Sequence, residues 1–212
     1  MDTEQLIRSL ATDNSSRASP VWFSLTQSVL VALPVSGLIF FLVLGFRTDI
    51  AVAIHNPFFD LKFAITMTLV ISTFFLGLHL SRPEATLGCR AWLLLIPIGL
   101  LVAGIAGEMM LPQRLSVLTR LVGTNSRTCL TAIPLMSLPL LAATLAGLRQ
   151  GAPSRPALTG AVAGLFSAGL AATFYASNCT DDSPLFVITW YSLAGAIVAS
   201  LGALAGSKVL RF

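Results

Sequence analysis

The feature that most constrains this chain is a series of six apolar stretches, each near the length of a bilayer-crossing helix, with the charges confined to the segments between them. They fall near Ser24–Phe46, Phe63–Leu80, Ala91–Gly107, Cys129–Leu148, Ala157–Ala176 and Pro184–Gly206. A helix needs about 20 apolar residues to cross the hydrocarbon core, because every backbone polar group there must be paired internally. Only 10% of the 212 residues are charged and 55% are hydrophobic, and the mean hydropathy is +0.85. That balance excludes a soluble enzyme, a disordered chain and a nucleic-acid-binding domain. The net charge of +4 is spread thinly, with no basic cluster to follow a phosphate backbone. The expected fold is therefore all-α: an integral membrane bundle of six transmembrane helices.

Residues 1–22 read as a short polar arm ahead of a six-span domain over residues 23–212. The arm carries Asp2, Glu4 and Asp13 beside Arg8 and Arg17, unlike a cleavable signal, and is expected to belong to the mature protein. Lys and Arg set the orientation. One side holds Arg8, Arg17, Arg82, Arg90, Arg149, Arg155, Lys208 and Arg211. The other holds Arg47, Lys62, Arg114, Arg120 and Arg127. Eight against five places both termini in the cytoplasm of a multi-pass inner-membrane protein.

Within the fifth span, Gly160, Gly164, Ala168, Ala172 and Ala176 repeat every fourth residue. The sixth offers Gly195, Ala199 and Ala203, with Gly202 and Gly206 beside them. Such stripes let backbones approach closely, so the two spans are expected to form a tight hairpin, with self-association through the same face as the rival. Pro34, Pro97, Pro134 and Pro139 lie inside spans, where neighbouring helices can satisfy the freed carbonyls.

No span carries an acid or base at its middle, and His79 and Glu108 are expected at solvated span ends. Ion-coupled transport and intramembrane hydrolysis both need ionisable groups within the membrane. No catalytic residue, metal cluster or cofactor motif is identified. Attention passes to the connections. Cys89 falls on the cytoplasmic side, whereas Cys129 and Cys179 fall on the outer side at similar depth. Two such thiols can form a disulfide, hold a soft metal together, or remain inert small residues. A disulfide closing this loop would contribute roughly 4 kcal/mol, comparable with the gap between two helix packings. His55 reads as a solvated loop residue, and Asp181 and Asp182 as charges at the N-terminus of a helix capped by Ser183 and opened by Pro184. In the arm, Asp2 and Gln5 resemble a capping box, and Leu6, Ile7 and Leu10 share one helical face. That face suits a partner's groove, a membrane surface, or no partner at all.

Several segments together carry a family resemblance. They are Cys129 with Pro134-Leu135; Leu148-Arg149-Gln150-Gly151-Ala152-Pro153; Pro156; and the series Gly160, Gly164, Gly169. The most specific runs from Tyr175 through Asn178-Cys179-Thr180-Asp181-Asp182-Ser183-Pro184 to Trp190-Tyr191. In the first half, residues 1–10, Arg47-Thr48-Asp49 and Leu61-Lys62-Phe63 also fit. The chain resembles the NrsF and OsrA type of bacterial inner-membrane anti-sigma factor. The resemblance implies sequestration of an extracytoplasmic-function (ECF) sigma factor at the cytoplasmic face and its release on oxidative or heavy-metal stress, without enzymatic activity, cofactor or direct contact with nucleic acid. It also implies that Cys129 and Cys179 are the sensing pair and that Leu6, Ile7 and Leu10 bind the sigma factor. Asn178 stands where many members have His, which favours thiol oxidation over metal capture. The alternatives are a small membrane transporter or metal-handling protein with the cysteines as ligand site, and a purely structural membrane subunit.

Overall fold

A computed structural model describes residues 3–5, 20–83, 85, 88–112 and 115–211. The described residues are helical with no strand. Six helices are long and apolar enough to cross a membrane: α1 (Val21–Val43), α3 (Pro57–Leu80), α4 (Cys89–Met110), α6 (Ser126–Leu148), α7 (Pro156–Ala176) and α8 (Pro184–Val209). Two short helices lie between them, α2 (Ile50–Ala53) and α5 (Val117–Val122), the latter separated from α6 by a break at Gly123, whose φ is +60°. The spans match the sequence expectation in number and order, with ends moved by a few residues. The largest change is in α3, which starts at Pro57 because Asn56 caps it by accepting from the Phe58 N–H at 3.1 Å. Lys62, expected in a connection, therefore sits inside the helix.

The hairpin of α7 and α8 is the most closely packed pair. Around it α3 and α6 flank α7, α1 lies on α6, and α4 lies on α3. Small residues bring the hairpin's backbones together. A Cβ on Gly164 would lie 2.5 Å from the Val198 carbonyl oxygen and 2.7 Å from the Ala199 Cα, and Gly160 fits equally tightly against Gly202 and Gly206. Gly195 differs, because its nearest neighbour would be a Leu165 methyl at 4.0 Å. The contact stripe on α8 thus runs through Val198, Ala199, Gly202 and Gly206. Toward Gly195 and the buried Ala168 the helices part, and a cavity opens.

The prolines are accommodated locally. Pro34 lies within α1, and Pro134 and Pro139 within α6. Between the last two, the Met136 carbonyl accepts from Ser36 Oγ of α1 at 2.9 Å. Pro97 falls in the first α-helical turn of α4, just after a 3₁₀ segment over Cys89–Leu94, so it interrupts no established helix. The Leu93 carbonyl in that tighter segment accepts from Ser72 Oγ at 2.9 Å. Inter-helix hydroxyl bonds of this kind keep backbone groups paired away from water.

Gly164→Ala is expected to destabilise the bundle by about 1–3 kcal/mol through overpacking of backbone on backbone. Gly195→Ala should be close to neutral. Thermal unfolding of the two variants in one detergent checks the contrast.

Candidate functional site

The connections after α1, α4 and α7 meet at one end of the bundle, around residues 177–183. At the end of α7 the chain reverses, with the N–H groups of Asn178 and Cys179 both donating to the Tyr175 carbonyl at 3.0 Å. Beneath this turn stands Lys62, 1% exposed. Its ammonium donates to the Cys179 carbonyl at 3.0 Å, the Asp181 carbonyl at 3.4 Å and Asp182 Oδ1 at 2.6 Å. Arg47 reaches Asp182 Oδ1 at 3.1 Å and the Cys179 carbonyl at 3.3 Å. Its other edge forks onto Asp49 with two bonds of 2.7 Å. Asn56 Nδ2 donates to Asp182 Oδ2 at 3.2 Å, and Asn178 Nδ2 to the Gly45 carbonyl at 3.0 Å. Two cations thus face two carboxylates, the balance a largely dry ion cluster needs. The pairing stabilises the charged forms: the exposed Asp49 carboxyl lies below its usual range because Arg47 donates to it.

Asp181 ties in the third connection. Its carboxylate accepts from the backbone N–H of Thr124 at 3.0 Å and of Asn125 at 2.8 Å, and from Asn125 Nδ2 at 2.9 Å. The approach requires Gly123, whose φ is +60° and whose absent Cβ would lie 2.9 Å from the Asp181 carboxyl carbon. Ser183 does cap the next helix, accepting from the Leu185 N–H at 3.2 Å. The expectation that Asp181 and Asp182 merely favour that helix N-terminus is corrected: their carboxylates are spent on long-range bonds. Glu108, expected in a solvated position, is also corrected. It is 4% exposed and faces Arg120 of α5 at 3.0 Å. The adjoining Trp190 Nε1 donates to the Leu121 carbonyl at 2.9 Å, which fastens α5 to α8.

Both thiols lie under this lid. Cys129 sits in the first turn of α6, its N–H on the Asn125 carbonyl at 2.8 Å, and the Tyr175 hydroxyl donates to that same carbonyl at 3.2 Å. The Cys179 thiol points toward the Asp181 carbonyl at 3.8 Å. Both cysteines are 0% exposed, both are free thiols, and they share an apolar cluster with Tyr175, Phe186 and Tyr191. Tyr191 packs on the rings of Tyr175 and Phe186 at 5.8 and 6.3 Å; its hydroxyl faces the Cys179 thiol without a hydrogen bond of good geometry. Burial pushes the Cys179 thiol up, against the opposing charge of Lys62. Cys89 is exposed at the start of α4, away from this cluster, and His55 is exposed with its ring on the Ala51 carbonyl. Among the described residues no three His, Cys, Asp or Glu side chains gather to hold a metal ion. Leu6, Ile7 and Leu10 lie outside the described residues.

The structure thus defines a multi-pass, six-helix membrane protein whose charged groups converge to hold a loop over two buried thiols. The family model described as "Negative regulator of sigma F", NrsF, matches residues 10–212, and the chain belongs to that family of non-enzymatic regulators. It is 34% identical over 217 residues to the anti-sigma-F factor NrsF of Caulobacter vibrioides, covering all of both chains. It is 29% identical over 216 residues to the probable anti-sigma-F factor NrsF of Azospira oryzae, again over the full length of both. No solved structure matches.

Two measurements test the lid. Lys62→Met should cost roughly 3 kcal/mol, the low end for a broken buried pair because Arg47 still faces Asp182. It should also raise the rate at which Cys179 is alkylated in a Cys89→Ser background, read by mass spectrometry. In the parent protein burial keeps Cys179 a neutral thiol. Its alkylation should stay slow as pH rises through the ordinary thiol range near about 8.5, and accelerate only above it.

Proposed function

We propose that this protein is a membrane-held anti-sigma factor that sequesters an ECF sigma factor of the sigma-F type and releases it when Cys129 and Cys179 are oxidised. The observation that carries this reading is the match of residues 10–212 to a family of negative regulators of sigma F, with full-length similarity to two anti-sigma-F factors. The eight-to-five bias of Lys and Arg supports both termini in the cytoplasm and the thiol cluster on the opposite, oxidising side. In the arm, Leu6, Ile7 and Leu10 form the sigma-binding face, the apolar side of an amphipathic sequence suited to a partner's groove.

The release step follows from the placement of the thiols. Oxidation joins Cys129 at the start of α6 to Cys179 at the end of α7, or leaves a sulfenic acid on one of them. A disulfide draws the two sulfurs to about 2 Å and a sulfenic acid adds a polar oxygen, so either product disturbs the packing around Tyr175 and Tyr191. The loop over Lys62 must then reseat, moving α7 and α8 relative to α6. These helices continue to the opposite face of the membrane, where the arm and its sigma factor stand.

Purification in mild detergent from the native host should yield a bound sigma factor. Leu6→Asp with Ile7→Asp and Leu10→Asp should abolish it without changing the bundle's melting. Peroxide should release the sigma factor from the parent protein, and Cys129→Ser or Cys179→Ser should reduce release at least tenfold, the loss expected when one of two reacting groups is absent. Retention by the arm variant, or normal release by both cysteine variants, would refute the corresponding half of the reading.

A further inference from the structure

Both thiols are closed to water from above, yet an apolar path approaches them from the side. Where α7 and α8 part, a cavity of about 310 Å³ lies between α3, α4, α7 and α8. Its walls include Ile65, Leu101, Ala168, Ala172, Tyr191 and Gly195. The volume falls at the lower end of small-ligand sites, roughly 300–1,000 Å³, and the near-absence of polar lining suits an occupant that arrives from lipid. Ile98 and Ala196, both exposed on the bundle's apolar flank, stand at its mouth. Tyr191 lines this cavity and also belongs to the apolar cluster that holds both thiols. Ala172 and Tyr175 are three residues apart on α7, so the cavity and the cluster occupy successive turns of one helix face.

The segment holding Tyr191 is irregular. Val187–Tyr191 is a π-helical turn set into α8, and its first and last residues both line the cavity. Such turns carry one residue more than α-geometry and are frequent at functional sites. The ring of Tyr191 packs on Tyr175 and Phe186, and its hydroxyl has no hydrogen-bond partner of good geometry among the described residues. A side chain anchored in this way on an irregular turn is the natural door between two compartments.

We propose that this cavity binds an apolar organic hydroperoxide drawn from the bilayer and delivers it past Tyr191 to the Cys179 thiol. This rests on the redox reading above and names the class of oxidant that the site takes. The Cys179 sulfur attacks the terminal oxygen of the hydroperoxide, the O–O bond breaks, and the thiol proton passes to the departing alkoxide, giving an alcohol and a sulfenic acid. The Cys129 sulfur then attacks the sulfenic sulfur, and water leaves with the Cys129 proton. In sum, one hydroperoxide and two thiols give one alcohol, one water and one disulfide.

The test uses the full-length protein carrying Cys89→Ser in lipid nanodiscs, with cumene hydroperoxide as the apolar oxidant and hydrogen peroxide as the aqueous one. Loss of free Cys129 and Cys179 is followed by differential alkylation and mass spectrometry. Gly195→Leu fills the cavity from a lining position where a Cβ meets only a Leu165 methyl at ordinary contact distance, and Ala196→Phe covers its mouth. Each should slow oxidation by cumene hydroperoxide roughly tenfold or more, the scale on which blocked apolar contacts discriminate, and leave the hydrogen peroxide rate unchanged. If both variants keep the parent rate with cumene hydroperoxide, or lose both oxidants in parallel, the cavity is not the entry site. If neither oxidant modifies the cysteines of the parent protein, the redox reading falls and this inference falls with it.

Discussion

The end of the bundle that holds the thiols depends on one buried ammonium group. Lys62 is surrounded by the Cys179 and Asp181 carbonyls and the Asp182 carboxylate, all from one seven-residue connection. Moving a charge from water into such a place costs several kcal/mol unless its partners are fixed in advance. Here they are fixed by groups from every neighbouring connection: Arg47 and Asn56 on Asp182, Thr124 and Asn125 on Asp181. The cluster is therefore cooperative. Removing one member leaves another's charge buried without its partner, so the lid over the thiols closes as a unit or not at all.

This explains which parts were legible in the sequence. Helix number, order and class follow from runs of apolar residues between charges, because the bilayer enforces that pattern residue by residue. The α7–α8 interface was legible from its four-residue spacing, but which stripe of α8 makes contact was not, and Gly195 proved to border a void rather than a backbone. The charged residues were visible but were assigned local roles. Asp181 and Asp182 stand where acids favour a helix start, and Glu108 stands where a span should meet water. Their true partners are as many as 135 residues away in sequence, as for Arg47 and Asp182, and no local rule reaches that far. One signal was available: the even number of crossings puts Arg47, Lys62, Arg120, Asp181 and Asp182 at one end, where four of them form ion pairs or backbone cradles around Cys179. Counting those charges for orientation obscured the prospect of their pairing.

The same arrangement sets terms for any signal that crosses the bundle. Near the thiols, contacts are polar and cooperative, and the α7–α8 pair has splayed around a cavity with a π-helical turn on its wall. Beyond Gly164, the two helices meet backbone to backbone and have almost no side chain left to compress. A change at the loose end is consequently absorbed by the small-residue seam only as rigid-body movement, since side-chain rearrangement cannot soften it there. Altering the lid by a few kcal/mol is enough to shift such a two-state balance by two or three orders of magnitude in population, whereas full exchange of a 1:99 state for a 99:1 state needs about 5.5 kcal/mol. A cooperative clamp shared by three connections changes by about that much when one buried partner is removed. An isolated surface ion pair, worth about 0–1 kcal/mol, would not.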